Sequence, residues 1–216
     1  MLKADVFVRD QISPQLWPHF VTVLRTAYAA ADDVIRDTPI LQVKSAEDNK
    51  GRIIQWAVDF GLERAVEIGT LSCDCRWRPF AKPTGRYLEL RFEHSRLTIS
   101  QVENPKKQPR NVVFRDNARL GNGQGGLFED EKTDSAINDL PHILLVHGHQ
   151  TLNFAHLAVP SPSSQSSYLW RSSNLLNVPH EVPAEGPAAE DTDYDLNEMK
   201  LLKERIEKWR KDNGEG

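Results

Sequence analysis

An α+β protein, with N-terminal helices packed on an antiparallel sheet and a C-terminal amphipathic helix after an acidic linker, is predicted by three features of the sequence. Apolar residues recur at helical spacing as far as about Ala65; from Glu67 they alternate with polar ones; and beyond Glu181 they thin out before helical spacing resumes at Leu196. The chain has 216 residues, 39% of them hydrophobic and 27% charged, with a formal net charge of −4. That is apolar material for one sizeable core. The predicted organisation is a single α+β domain over residues 1–182, an acidic linker over 183–195 and an amphipathic helix over 196–213.

The N-terminal half carries the helical signals. Val6-Phe7-Val8 is a short apolar opening, and Ser13-Pro14 is a helix start with proline at the first helical position. From Ser13 to about Ala31, Leu16, Phe20, Val23, Leu24, Ala27 and Tyr28 form one apolar stripe. Thr38-Pro39 breaks the chain. A second helix is expected from Ser45, capping Asp48, to about Ala65, with Ile53, Ile54, Trp56, Ala57, Phe60 and Leu62 as its apolar set.

The strands follow. Leu71, Cys73, Cys75 and Trp77 share one face, and Asp74, Arg76 and Arg78 the other. Leu88, Leu90 and Phe92 alternate with Tyr87, Glu89, Arg91 and Glu93, and His94-Ser95 turns the chain into Leu97-Thr-Ile99, a hairpin with one dry and one wet face. Val112-Val113-Phe114 is expected as a strand, Ile143-Leu-Leu-Val146 as a fully buried one, and Leu152–Val159 as another. Tyr168-Leu-Trp170 and Leu175-Leu176 return to the body. Residues 181–198 then carry seven acids and no Lys or Arg, a composition that reads as a linker. In the final stretch Met199, Leu202, Ile206 and Trp209 make one stripe.

Several kinds of chemistry are weak or missing. No apolar run approaches the roughly 18 residues of a membrane span, and the opening residues lack the long apolar segment of a signal peptide. A cytoplasmic protein with no membrane partner is therefore expected. Cys73 and Cys75 are too close for ordinary disulfide geometry and read as reduced thiols. His142, His147, His149 and His156 are four of the seven histidines. Two of them form His-x-His, a metal half-site, but Gly148 suggests a turn and no acid completes a tetrahedral set, so backbone-bonded histidines are the favoured reading and no metal is assigned. Asp74 and Glu89-Leu-Arg91 resemble the carboxylate pair of metal-dependent nucleases, yet Arg stands where a Lys is usual, and solvated hairpin residues are favoured. There is no phosphate-binding glycine loop and no nucleophile elbow. No catalytic residue and no cofactor is expected.

One segment remains. Gly121-Asn122-Gly123-Gln124-Gly125-Gly126-Leu127-Phe128 has four glycines, which predicts an extended, exposed loop because glycine loses most entropy on ordering, and it ends in two large apolar side chains before three acids. Gln124-Gly-Gly-Leu127-Phe128 resembles the Gln-x-x-Leu-Phe peptide by which bacterial proteins dock on the DNA-polymerase sliding clamp. The resemblance implies that Gln124 bonds at the mouth of the clamp's pocket while Leu127 and Phe128 fill its floor. Through this peptide alone, Gln124, Leu127 and Phe128, the chain resembles the SocB-type toxins of bacterial toxin–antitoxin pairs or another clamp-binding protein; the first implies replication blocked by clamp occupancy and an antitoxin partner, the second a client of the clamp. Between Arg76 and Arg119, eleven basic residues face Glu89, Glu93, Glu103 and Asp116. A nucleic-acid partner for this region, as a nuclease or a regulator, is the alternative reading.

Overall fold

A computed structural model describes residues 4–80, 85–110, 112–124 and 140–179. The predicted linker, the predicted C-terminal helix, Leu127 and Phe128 lie outside the described residues. The described part is mixed α and β, with N-terminal helices on a six-stranded sheet. No helix among the described residues is long and apolar enough to cross a membrane.

The apolar opening is helical: α1 (Ala4–Gln11) buries Phe7 and Val8. Ser13 accepts a bond from the Gln15 amide at 3.4 Å and starts a single 3-10 turn, and α2 runs over Trp17–Asp37. The Trp17 indole donates to the Ile12 carbonyl at 3.0 Å, tying the two helices together. The second predicted helix divides into one turn, α3 (Lys44–Glu47), and α4 (Lys50–Glu67). Ser45 therefore caps nothing; instead the Asn49 side chain donates to the Ser45 carbonyl across the break. Helix α4 meets α2 through Ile54, Val58 and Leu62. This corrects the expected apolar set, since Trp56 and Phe60 are each 63% exposed. Residues two apart on a helix point about 200° from one another, so Trp56 cannot share the face of Ile54.

The sheet consists of β1 (Asp74–Pro79), β2 (Arg86–Arg91), β3 (Arg96–Val102), β4 (His142–Gly148), β5 (Ala155–Pro160) and β6 (Tyr168–Arg171), lying side by side in sequence order. Neighbours pair antiparallel except β3 and β4, which run parallel from Arg96↔His142 to Val102↔Gly148. The sheet is antiparallel as expected except at this seam, where the connection contains a helix, as a parallel pair requires. Strand parity assigns the faces. Leu88, Leu90, Leu97, Ile99, Ile143, Leu145 and Leu157 pack against α1, α2 and α4. The opposite face carries Glu89, Thr98, Ser100, His142, Leu144 and Val146, with a small second cluster at Val102, Leu144, Val146 and Phe154.

The crossover is α5 (Val113–Gln124). It corrects two expectations together: Val112–Phe114 is not a strand, and the glycine-containing stretch as far as Gln124 is helical. Two interior glycines cost about 1 kcal/mol each against alanine. Tertiary contacts outweigh that. Phe114 stacks on Tyr87 with ring centroids 4.0 Å apart, Ala118 is buried, and Arg119 pairs with Asp116 and donates to the Ser161 and Pro162 carbonyls. Asn122 completes the attachment.

Candidate functional site

Gln124, Leu127 and Phe128 begin where α5 ends, and the last turn of α5 is held by one side chain. Asn122 is 2% exposed. Its Oδ1 accepts the His142 amide at 2.6 Å, and its Nδ2 donates to the carbonyls of His142 at 3.2 Å and Pro160 at 3.1 Å. The end of the helix is thus fixed to β4 and β5 at a point two residues before Gln124. Sequence reasoning treated Asn122 as one more loop residue. The available signal was the helical spacing of Ala118, Arg119 and Asn122.

Beneath α5 lies a polar layer. His142 Nε2 is 2.9 Å from Thr98 Oγ1. Burial pushes its imidazole down to about 3, helped by the positive charges of Arg96 and Arg115. Arg115 donates to the Arg110 carbonyl at 2.9 Å and lies over the Phe114 ring. Burial alone lowers its pKa to about 10. A narrow cleft here is lined by Gln108, Arg115, Arg119, His142, Pro160 and Gln165.

The histidines do not converge. His142 and His147 have opposite parity on β4, so one faces α5 and the other the helical layer. The Tyr28 hydroxyl donates to the Gly148 carbonyl and its oxygen sits 2.7 Å from His147 Nδ1, which assigns the proton to Nδ1. Burial takes this imidazole too to about 3, the Gly148 carbonyl opposing only in part. His156 Nδ1 bonds the Ser172 and Ser173 carbonyls at 3.0 and 3.2 Å. Among the described residues no group of three or more His, Cys, Asp or Glu is placed to hold a metal ion.

Glu89 corrects the reading of a solvated hairpin carboxylate. It is 2% exposed, and its Oε1 accepts from Arg91 Nε at 2.9 Å and Arg78 Nε at 3.3 Å. Outward parity on β2 leads into the polar layer rather than to water. Asp74 is exposed on the edge strand, its Cα opposite Arg91. The two cysteines are free thiols. Burial first, then the negative charges at Cys75 and Asp74, push the Cys73 thiol up to about 12, so it is a poor nucleophile and metal ligand at neutral pH.

No protein-family model matches this chain, and no curated protein or solved structure matches it either.

Proposed function

We propose that this protein is a partner of the bacterial DNA-polymerase sliding clamp, docking through Gln124, Leu127 and Phe128 and blocking replication in the manner of a SocB-type toxin. The observation that carries the reading is the sequence Gln124-Gly-Gly-Leu127-Phe128 at the end of an anchored helix. The Asn122 clasp sets where the peptide begins, and two glycines follow Gln124, so the backbone can turn into a groove at little steric cost. Burying one leucine and one phenylalanine contributes about 1.5 to 3 kcal/mol each before ordering costs, which alone corresponds to affinity from about millimolar to tens of micromolar at best. Stronger inhibition requires further contacts from the folded body. In this reading an antitoxin is a second protein partner, and the site is a recognition peptide with no catalytic residue. The test is binding of purified clamp to the intact protein and to a Leu127→Ala/Phe128→Ala double variant. Loss of binding with an unchanged melting temperature is expected. A variant that binds like the parent refutes the peptide's role.

The alternative, a nuclease using Asp74 and Glu89, is disfavoured by the two guanidinium groups that already occupy Glu89. A regulator that contacts nucleic acid remains the second reading, on the exposure of Arg76, Arg86, Lys106, Lys107 and Arg110. Retention on duplex DNA that falls steeply with salt would support it.

A further inference from the structure

The sheet ends on β1, and among the described residues no strand pairs with its outer edge. The Phe80 amide donates to the Gly85 carbonyl at 3.0 Å, which fixes the phase of the β1–β2 ladder. The even-numbered residues of β1 therefore turn their backbone groups toward β2, and Cys75 and Trp77 turn theirs outward. Pro79 falls on the outward phase but has no N–H, so the pairable stretch stops before it. Side chains along this edge differ between its two faces. On the polar face Asp74 and Arg76 are exposed, and neither makes an ion pair or a side-chain hydrogen bond among the described residues. On the helical face stand Cys75, half-buried, and Trp77, 39% exposed. Helix α4 supplies the flank above them. Trp56, Phe60, Glu63 and Glu67 recur at the spacing of one helical stripe. The Trp77 indole donates to Glu63 at 2.6 Å, and the Cys75 thiol is pushed up by burial first and then by the charges of Glu63 and Glu67, so the stripe runs beside the edge. Trp56 and Phe60 continue it, each 63% exposed.

We propose that β1 is the interface of a two-fold dimer, pairing antiparallel with β1 of a second copy so that the two Cys75 residues lie opposite one another. This surface is independent of the clamp peptide. The strand carries its own complement only in this register. Reversed about Cys75, Asp74 of each copy faces Arg76 of the other, and Cys73 faces Trp77. Centred on Asp74, two carboxylates would oppose each other; centred on Arg76 or on Trp77, arginine would oppose arginine, which destabilises a cross-strand pair. The complementary register also suits the backbone, since the outward groups of Cys75 meet their counterparts. Asp74 and Arg76 then fall in non-hydrogen-bonded pairs, where Cα atoms lie about 4.5 Å apart and side chains are closest. On the helical face the same rotation brings the Trp56–Phe60 flank of each copy toward the two-fold axis, covering aromatic surface that faces water in the single chain. A two-fold contact closes on itself, so the occupant is one further copy and not a growing array.

The test is sedimentation of the full chain over about 1 to 100 µM, as the wild type and as charge variants. A reversible monomer–dimer equilibrium is expected. Asp74→Arg and Arg76→Asp each set like charges against one another in their own dimers and should weaken association at least about tenfold. Mixed in equal amounts the two variants meet acid to base, and association should return as a heterodimer. Cys75→Pro removes the N–H at the two-fold axis and no bond to β2, so that variant should be folded and monomeric. A wild-type chain that stays monomeric at about 100 µM overturns the proposal. So does assembly beyond the dimer, or a pair of charge variants that dimerise like the parent or fail to associate when mixed. Should a charge variant fail to fold, Cys75→Pro decides, and a dimer of parental strength in it refutes the pairing.

Discussion

Asn122 and His142 lie on different elements, yet the side chain of the first reads both backbone groups of the second: Oδ1 takes the His142 amide at 2.6 Å and Nδ2 reaches its carbonyl at 3.2 Å. One amide side chain thereby replaces a ladder partner at the first residue of β4. Asn122→Ala would leave a buried N–H and two carbonyls unmatched, and a loss of about 2 to 3 kcal/mol is expected in urea unfolding. Amide exchange in α5 should accelerate before that of the sheet. An Asn122→Ala variant as stable as the parent would show that the clasp is dispensable.

Glu89→Gln and Asp74→Asn remove one charge each from neighbouring strands and should differ sharply. Glu89 is 2% exposed between arginines whose side chains are 30% and 39% exposed. Water at the arginines softens the cost, so about 2 kcal/mol is expected rather than the larger penalty of a fully buried pair. Asp74 is exposed, and its change should stay within about 0.5 kcal/mol. Equal effects from the two variants would contradict the burial described for Glu89.

Acid should destabilise the fold through its histidines. His142 and His147 titrate near 3 when folded, against the ordinary 6.5. Between those values the unfolded chain holds more protons. Their contribution is therefore complete above pH 6.5 and is lost as pH falls toward 3. Asp59 has the opposite sign: burial, against the bond from Gln55, raises it from 3.8 to about 6, so its contribution is lost as pH rises through that window. Two histidines outweigh one carboxyl, and urea midpoints should climb from pH 4 to 6.5. Asp59→Asn should add about 1 to 3 kcal/mol at pH 7.5 and nothing near pH 4. A midpoint independent of pH over this range would exclude the buried neutral histidines.

Gly148→Ala tests the end of β4. An added Cβ would lie 2.1 Å from the Thr151 carbonyl oxygen and 2.4 Å from Asn153 Oδ1. Neither the turn backbone nor the Asn153 side chain beside it has room to accept a methyl group, and about 2 kcal/mol or more should be lost. Hydrogen exchange at Thr151 and Asn153 should rise. A silent substitution would mean that the turn relaxes freely.

What the sequence revealed followed the reach of its signals. Alternation identified Leu88 and Leu90, and the unbroken run through Ile143–Val146 marked a strand covered on both faces, because periodicity reports local environment directly. Glu89 and Asn122 were misread for one reason: local pattern gives which way a side chain points, but not what waits there. For Glu89 it was two arginines within the polar layer; for Asn122, the backbone of a strand that comes later in the chain. Helix α5 shows the same limit on a larger scale, since its glycines speak against a helix and the attachments that overrule them come from β2, β4 and the Ser161–Pro162 turn. Of the candidate site, the peptide was legible as letters, whereas the cleft under α5, assembled from distant segments, was not.

The parallel seam between β3 and β4 also shapes how the chain reaches its fold. On one side β1, β2 and β3 follow one another with only a few residues between them, and on the other so do β4, β5 and β6. Each trio can zip locally, whereas joining them requires closure of the whole segment from Val102 to His142, a larger entropic cost than any hairpin. Closing the seam is therefore the step expected to be slow in folding, and until it completes β3 and β4 would expose unpaired edges. Those edges would be the first surface offered to a chaperone or to another unfolded copy during synthesis.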